Sequence, residues 1–161
     1  MRRVLFVMLA IFATLSTVSA QYVLSKADKA MVAKEVKRLK KDGWKAAEGD
    51  KTLEQQMTEY YQKNLTLDEN GNPTYLIVQG VGTSKSYDVA KTKALTFCRQ
   101  EIALHFSDVS VEIKSDGTTT TSFKPSATRK PGRQQQIICL YRKKDGNIEV
   151  RVAVATEAPK I

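Results

Sequence analysis

The sequence contains little of what most enzymes and metalloproteins need. One of its 161 residues is a histidine and two are cysteines, which falls short of the four protein ligands of a structural zinc ion. A Ser–His or Cys–His pair would have to use His105, and no nucleophile or acid stands out by its spacing from it. His105 lies near the end of the central predicted helix, where a protonated imidazole stabilises the helix dipole. We expect no enzymatic activity, no metal and no cofactor.

The sequence also has only one long apolar run, and this run lies at its start. Two arginines precede the apolar stretch Val4–Ala13, and Val18-Ser19-Ala20 follows. This order is typical of a secretory signal peptide, and the run is shorter than the roughly 20 residues that span a bilayer. We therefore predict cleavage after Ala20 and a periplasmic or secreted mature chain with no transmembrane segment. There is no cysteine near the predicted cleavage site, so we do not expect a lipid anchor.

The sequence has 17 acidic residues against 26 lysines and arginines, so its net charge is +9 at pH 7. Removal of residues 1–20, which contain two arginines and no acid, lowers it to +7 and leaves 21–161, a length typical of one domain. A basic exported protein favours acidic surfaces, so the expected partner is an unidentified envelope protein or an anionic envelope polymer. Nucleic acid is not expected, because no basic groove with interleaved aromatic residues is visible.

Two helices are predicted in residues 21–67. The segments Ser25–Asp28 and Thr52–Gln55 are typical of capping boxes, and Asp42-Gly43 ends the first helix. The first helix is basic, and its thin apolar stripe without aromatic residues favours packing on the protein over lying on a membrane. Trp44, the only tryptophan, is expected at the edge of the core, with a sugar-stacking platform as the alternative. The apolar faces comprise Val32, Val36 and Leu39 in the first helix and Leu53, Met57, Tyr60, Tyr61 and Leu65 in the second.

The centre of the chain combines a strand, two glycines and a long helix. Tyr75–Val78 is apolar, and Gly80 and Gly82 follow, so we predict a buried strand that ends in a tight glycine turn. From Ser86 to Phe106 apolar residues recur every three or four positions, which predicts an amphipathic helix. Its apolar face comprises Tyr87, Ala90, Ala94, Cys98, Ile102 and Phe106.

The C-terminal part has mostly strand patterns. They comprise a strand Val109–Ile113, a turn at Asp116-Gly117, an edge strand Thr118–Thr121, a loop Lys124–Gln136, and strands Gln136–Tyr141 and Ile148–Ala155 joined by a hairpin at Asp145-Gly146. In the last strand Val150, Val152 and Val154 are expected to face the core and Arg151 to face away. We predict an α+β fold in which residues 74–158 place the long helix on an antiparallel sheet of three to four strands. The candidates for the layer opposite this helix are Leu76, Val78, Ile113, Cys139 and Val152.

One segment is a candidate binding site. Gly80, Gly82, Thr83, Ser84 and Lys85 lie between the predicted strand and the predicted helix, where backbone N–H groups and the helix dipole attract anions. The dinucleotide-binding pattern requires glycine where Lys85 stands, and the Walker pattern requires Gly-Lys-Ser/Thr after a longer loop. Two interpretations stay open, namely glycines that permit tight turning and close packing, and a small-ligand or anion-binding turn.

The two cysteines, Cys98 and Cys139, lie on the predicted helix face and inside a predicted strand. Export would place them where disulfides persist, and a bridge closing a loop of about 40 residues would add roughly 3–4 kcal/mol of stability. Two buried free thiols are the alternative, because neither cysteine lies in a predicted loop.

Several central residues also resemble a known family. Gly80–Ser84, Tyr87, Ala90, Ala94 and Ile102-Ala103 are similar to the glycine-turn and alanine-rich-helix core of the Lpp-twenty-type outer-membrane lipoproteins and of the related N-terminal domain of the flagellar T protein. The lipid-attachment cysteine of the lipoproteins is missing, so the resemblance does not imply anchoring, and it assigns no functional residue. The N-terminal half, with Asp42-Gly43-Trp44 and Leu53-Glu54-Gln55-Gln56, resembles uncharacterised exported proteins of Gram-negative bacteria.

These observations together favour a non-enzymatic periplasmic interaction or structural module of the cell envelope. Exposed strands and a basic loop from Lys124 to Arg133 are the expected contact surface.

Overall fold

The computed structural model describes residues 22–113 and 119–159. The predicted signal peptide, the Asp116-Gly117 turn and Thr118 lie outside these residues. The elements are α1 Lys26–Lys41, β1 Lys45–Ala46, α2 Leu53–Leu65, β2 Tyr75–Ser84, α3 Tyr87–His105, β3 Ser107–Ile113, β4 Thr119–Pro125, β5 Gln135–Lys144 and β6 Asn147–Glu157. The predicted α+β fold class is confirmed. Within the described ranges, no helix is both long enough and apolar enough to cross a bilayer.

Both N-terminal helices begin at the predicted caps. The Ser25 hydroxyl accepts a hydrogen bond from the Asp28 N–H at 3.2 Å, and the Asp28 carboxylate accepts one from the Ser25 N–H at 2.8 Å. Thr52 and Gln55 form the same reciprocal pair at 3.2 and 2.9 Å. Each box satisfies two backbone donors that a helix start would otherwise leave unpaired.

Four antiparallel strands form the central sheet in the order β1-β5-β6-β2. β2 pairs with β6 along its whole length, from Tyr75 opposite Glu157 to Ser84 opposite Ile148. The predicted hairpin joins β5 to β6, and its Asp145 and Gly146 have φ angles of 50° and 73°. Two positive φ angles match the twist of the flanking strands, which explains why Asp-Gly occupies this turn.

Helices cover both faces of the central sheet. On one face the buried side of α3 packs against β2, β5 and β6, including Val78, Cys139, Val150, Val152 and Val154. On the other face α1 and α2 pack against a layer that contains Ile138, Leu140, Ala153 and Ala155. The expectation that Arg151 faces away from the core is wrong, because the helix pair covers its side of β6 and leaves it half-buried.

Gly80 and Gly82 lie inside β2 rather than in a turn, which corrects the predicted tight glycine turn. An ideal Cβ on Gly82 would lie 2.0 Å from the Ala90 carbonyl oxygen, and one on Gly80 would lie 2.5 Å from that of Ala94. Non-bonded heavy atoms do not approach so closely, so glycine is what lets α3 pack directly on the strand. The strand continues for two residues beyond Gly82 before a two-residue link to α3.

β3 and β4 form a separate two-stranded sheet after α3. Ile113 lies opposite Thr119 in this pair, so its assignment to the layer opposite α3 is wrong. The alternating pattern of β3 and the strand predicted after it agree with this pairing, but neither pattern showed that the two strands lie outside the central sheet. The predicted loop Lys124–Gln136 is also too long, because β4 extends to Pro125 and β5 begins at Gln135.

Candidate functional site

The segment predicted as an anion-binding turn belongs to the β2–β6 ladder. Residues Gly80–Ser84 pair with β6, and Lys85 is exposed in the link to α3. The Thr83 carbonyl oxygen accepts a hydrogen bond from Lys93 Nζ at 3.2 Å. A phosphate loop works through backbone N–H groups that converge on the ligand, whereas a strand directs its N–H groups alternately to opposite sides. The segment therefore forms no loop of converging N–H groups, and anion binding by it stays a prediction.

Cys98 and Cys139 are buried free thiols. Cys98 Sγ lies 3.6 Å from the Val78 carbonyl oxygen and 3.8 Å from that of Val152, while Cys139 Sγ lies 3.4 Å from Tyr87 Oη. Burial raises the pKa of the Cys98 thiol, which disfavours the reactive thiolate. The two cysteines are therefore free thiols and not a disulfide, and both side chains pack in the part of the core beside α3.

His105 is the last residue of α3 and is exposed. Across residues 22–113 and 119–159, no three His, Cys, Asp or Glu side chains gather in a group that could hold a metal ion.

The predicted basic loop is attached to the β3–β4 sheet. The Ser126 N–H donates to the Phe106 carbonyl oxygen at 3.1 Å, and Arg129 forms an ion pair with Asp108 at 2.7 Å. The Arg129 guanidinium holds the pKa of the Asp108 carboxyl below its usual range. This ion pair leaves the loop with fewer uncompensated charges than its sequence suggests. The remaining exposed cations of the predicted segment are Lys124, Lys130 and Arg133.

The densest positive charge lies on α1. Six exposed lysines of this helix lie within an arc of about 140° at 3.6 residues per turn, to one side of the stripe of buried residues. The two acidic residues of α1, Asp28 and Glu35, lie outside this arc. Lys40 pairs with Glu54 of α2 at 2.7 Å, and among the described residues the other five have no carboxylate within 4 Å. We call this surface the lysine face; it comprises Lys26, Lys29, Lys34, Lys37, Lys40 and Lys41.

Trp44 is only 2% exposed, which rules out the alternative of an open sugar-stacking platform. Two guanidinium carbons, those of Arg142 and Arg151, lie 4.5 and 4.6 Å from the centroid of its ring, a distance typical of cation–π contacts. Arg142 Nε also donates to Glu149 Oε2 at 2.8 Å. Trp44 thus forms the apolar centre of an arginine cluster beneath the C-terminal end of α1.

A cleft of about 280 Å³ lies between α1, α2 and the sheet, beside this cluster. Arg151 reaches it from β6, Arg38 and Glu35 from α1, and Tyr60 and Tyr61 from α2. Burial, the largest cause, and the neighbouring Arg38 and Arg142 lower the pKa of Arg151, while Glu149 and Glu35 oppose them only in part, so the charged guanidinium is less favourably placed than one in water. The apolar part of the lining consists of Leu39, Met57, Ile138 and Leu140.

A larger and more open groove of about 680 Å³ runs along α2. Three of its four charged side chains are paired, since Glu59 accepts from Lys51 Nζ at 2.5 Å and from Gln135 Nε2 at 2.7 Å, and Glu54 accepts from Lys40 Nζ at 2.7 Å. Lys63 Nζ lies 4.2 Å from the centroid of the Tyr75 ring. These contacts occupy the polar groups that a ligand would use, so the groove is a poorer candidate than the cleft.

Sequence reasoning identified α1 as basic but placed the contact surface in the Lys124–Arg133 loop. The helical spacing of the lysines was the signal that could have identified the lysine face. The cleft had no such signal, because its lining combines residues of α1, α2 and β6 that lie far apart in the sequence.

Comparisons of the chain with protein-family models, with curated proteins and with solved structures found no match. The resemblance to the Lpp-twenty-type lipoproteins and to the flagellar T protein stays a prediction.

Proposed function

We propose that the protein is a non-enzymatic, exported module of the bacterial envelope that binds an anionic polymer through the lysine face of α1. The proposed export depends on the predicted signal peptide in residues 1–20. The observation that supports polymer binding is the row of unpaired lysines. It extends about 22 Å along the helix, at a rise of 1.5 Å per residue, which suits a chain of repeated negative charges better than a single small anion.

The burial of α1 favours a polymer over a membrane. Val32, Val36 and Leu39 pack into the core, so the apolar side of the helix cannot enter a bilayer as an interfacial helix must. The lysine face also contains no aromatic residue, and single-stranded nucleic acid binding depends on aromatic stacking platforms. Electrostatic attraction to a flexible acidic polymer requires neither feature.

The experiment compares two variants that lose the same number of charges. In the first, Lys29, Lys34, Lys37 and Lys41 become glutamine, a substitution that keeps helix propensity nearly unchanged. In the matched control, four exposed cations outside α1 become glutamine, namely Lys124, Lys130, Arg133 and Lys144. Affinity for dextran sulfate is measured at several salt concentrations, because contacts between exposed charges weaken as salt rises.

A lysine near an anionic surface contributes at most about 1 kcal/mol, so loss of four should weaken binding roughly ten- to a thousandfold. The control should stay within about threefold of the wild type, since only its overall charge changes. Equal losses in both variants would show that net charge alone drives binding. A loss confined to the control would place the contact outside α1 and overturn the proposal.

A further inference from the structure

We propose that the cleft between α1, α2 and the sheet is a second binding site, specific for a small organic carboxylate with an apolar body, which pairs with Arg151. This inference goes beyond polymer binding, because the cleft and the lysine face use different residues and different chemistry. It depends on the distribution of charge, hydroxyl groups and apolar surface within the cleft.

The charge distribution leaves one cation without a partner. Arg38 pairs with Glu35, and Arg142 pairs with Glu149. Arg151, half-buried between them, has no carboxylate within 4 Å and no hydrogen bond among the described residues, and its guanidinium lies over the Trp44 ring. Buried charges are normally paired or hydrogen-bonded, so an anionic group that enters the cleft would complete the arrangement.

Two tyrosine hydroxyls provide further donors. The Tyr60 hydroxyl accepts a hydrogen bond from Gln79 Nε2 at 3.0 Å, which leaves its own proton free to be donated. The Tyr61 hydroxyl has no hydrogen-bond partner among the described residues, and both tyrosines line the cleft. A carboxylate has two oxygens that accept hydrogen bonds, so the guanidinium and a hydroxyl can bind it together.

The rest of the lining sets the size and polarity of the ligand. Leu39, Met57, Ile138 and Leu140 form an apolar floor, against which a hydrocarbon body would lose its hydration. A cavity of about 150 Å³ holds benzene, so about 280 Å³ has room for a ring of that size together with a carboxylate. A polymer chain is too large for this volume.

The charge of the cleft favours a monoanion. Of the described cations that line the cleft, Arg38 and Arg151, only Arg151 lacks a carboxylate partner. The Glu35 carboxylate lies at the same cleft, where it would repel a second negative charge. Inorganic phosphate, which is partly dianionic at neutral pH and has no apolar surface, matches neither the charge nor the floor. Benzoate therefore represents the proposed ligand class, and benzamide is its uncharged counterpart.

Trp44 provides the readout. It is the only tryptophan in the sequence, and its ring contacts the Arg151 guanidinium, so its fluorescence reports on this cluster alone. The full-length mature chain is titrated with benzoate, benzamide and inorganic phosphate, and calorimetry measures the same affinities independently. We expect saturable benzoate binding, with benzamide at least tenfold weaker, because hydrogen bonds to charged groups are the stronger ones.

Variants then locate the binding. Arg151→Met should weaken benzoate binding at least tenfold, and Tyr61→Phe, which leaves the ring packing intact, should weaken it two- to tenfold. Arg129→Met, at an arginine paired with Asp108 outside the cleft, should leave it unchanged. If Arg151→Met fails to fold, as judged by circular dichroism, Tyr61→Phe decides between the outcomes.

Three results would overturn the inference. They are no saturable benzoate binding, equal binding of benzoate and benzamide, and benzoate binding that survives in Tyr61→Phe and in folded Arg151→Met. Phosphate binding without benzoate binding would also overturn it and indicate a simple inorganic anion site. None of these outcomes affects dextran sulfate binding by the lysine face, so the two proposals fail independently.

Discussion

Replacing Gly82 by alanine tests whether α3 packs directly on β2. The new Cβ would lie 2.0 Å from the Ala90 carbonyl oxygen and 2.9 Å from the Ala94 nitrogen. Both are backbone atoms of the helix, which cannot rotate away as the end of a flexible side chain would. Since heavy atoms are in optimal contact at about 3.5 Å, α3 would have to move by about 1 Å or more.

Such a movement would open gaps beside residues that now have no exposed surface, including Ala90, Ala94 and Ile102. Overpacking a core costs about 1–3 kcal/mol, and occasionally more. Because the clash is with a backbone, we expect the upper part of this range, about 3 kcal/mol. For a chain of this size, that loss lowers the melting temperature by roughly 6–12 °C.

Gly132→Ala is the matched control. Its added Cβ would lie 3.4 Å from Glu157 side-chain atoms, an ordinary contact, so the free energy of unfolding should change by no more than about 0.5 kcal/mol. Urea unfolding followed by circular dichroism measures both variants. Unfolding of Gly82→Ala at the same urea concentration as Gly132→Ala would refute direct packing of the helix on the strand.

Three further substitutions test other contacts in urea unfolding. Gln56→Ala should cost about 2–3 kcal/mol, because Gln56 is buried and its Oε1 accepts the Cys139 N–H at 2.7 Å; a cost below about 0.5 kcal/mol would contradict this link. Ser25→Ala should cost about 1 kcal/mol by removing the cap on the Asp28 N–H, and an unchanged midpoint would argue against that cap. Burial and the contact with Cys139 raise the pKa of Tyr87 above its ordinary 10.0, so the contribution of this group is complete below pH 10 and lost as pH rises further. Stability should therefore fall less steeply above pH 10 in Tyr87→Phe than in the wild type, and parallel curves would refute this assignment.

The helices and the last hairpin were predictable because their signals are local. Ser25 and Thr52 each have a capping partner three residues later, and Asp145-Gly146 adopts a turn that few other dipeptides favour. The position of Gly80 and Gly82 was not predictable, since the same Gly-x-Gly pattern occurs in turns and in strands that pack closely against a helix. Whether these glycines lie in a turn or in a strand depends on how closely α3 packs on β2, and no local sequence pattern determines that packing.

Burial of both sheet faces was also missed, although the last strand contained a signal. The stretch from Val152 to Ala155 is apolar at every position, which is typical of strands covered on two sides. The charged Arg151 next to this stretch instead suggested that one face is exposed to solvent. The cleft could not be predicted, because the residues that line it come together only when α1 and α2 pack on the sheet.

The central claim, that the lysine face binds an anionic polymer, is tested most directly by NMR. Amide chemical shifts of the ¹⁵N-labelled mature chain are followed as short dextran sulfate chains are added at physiological ionic strength. The account predicts that the largest changes occur in α1, at Lys29, Lys34, Lys37 and Lys41, and that they reverse when salt is raised. Changes concentrated in residues 124–133, or spread evenly over all exposed cations, would contradict it.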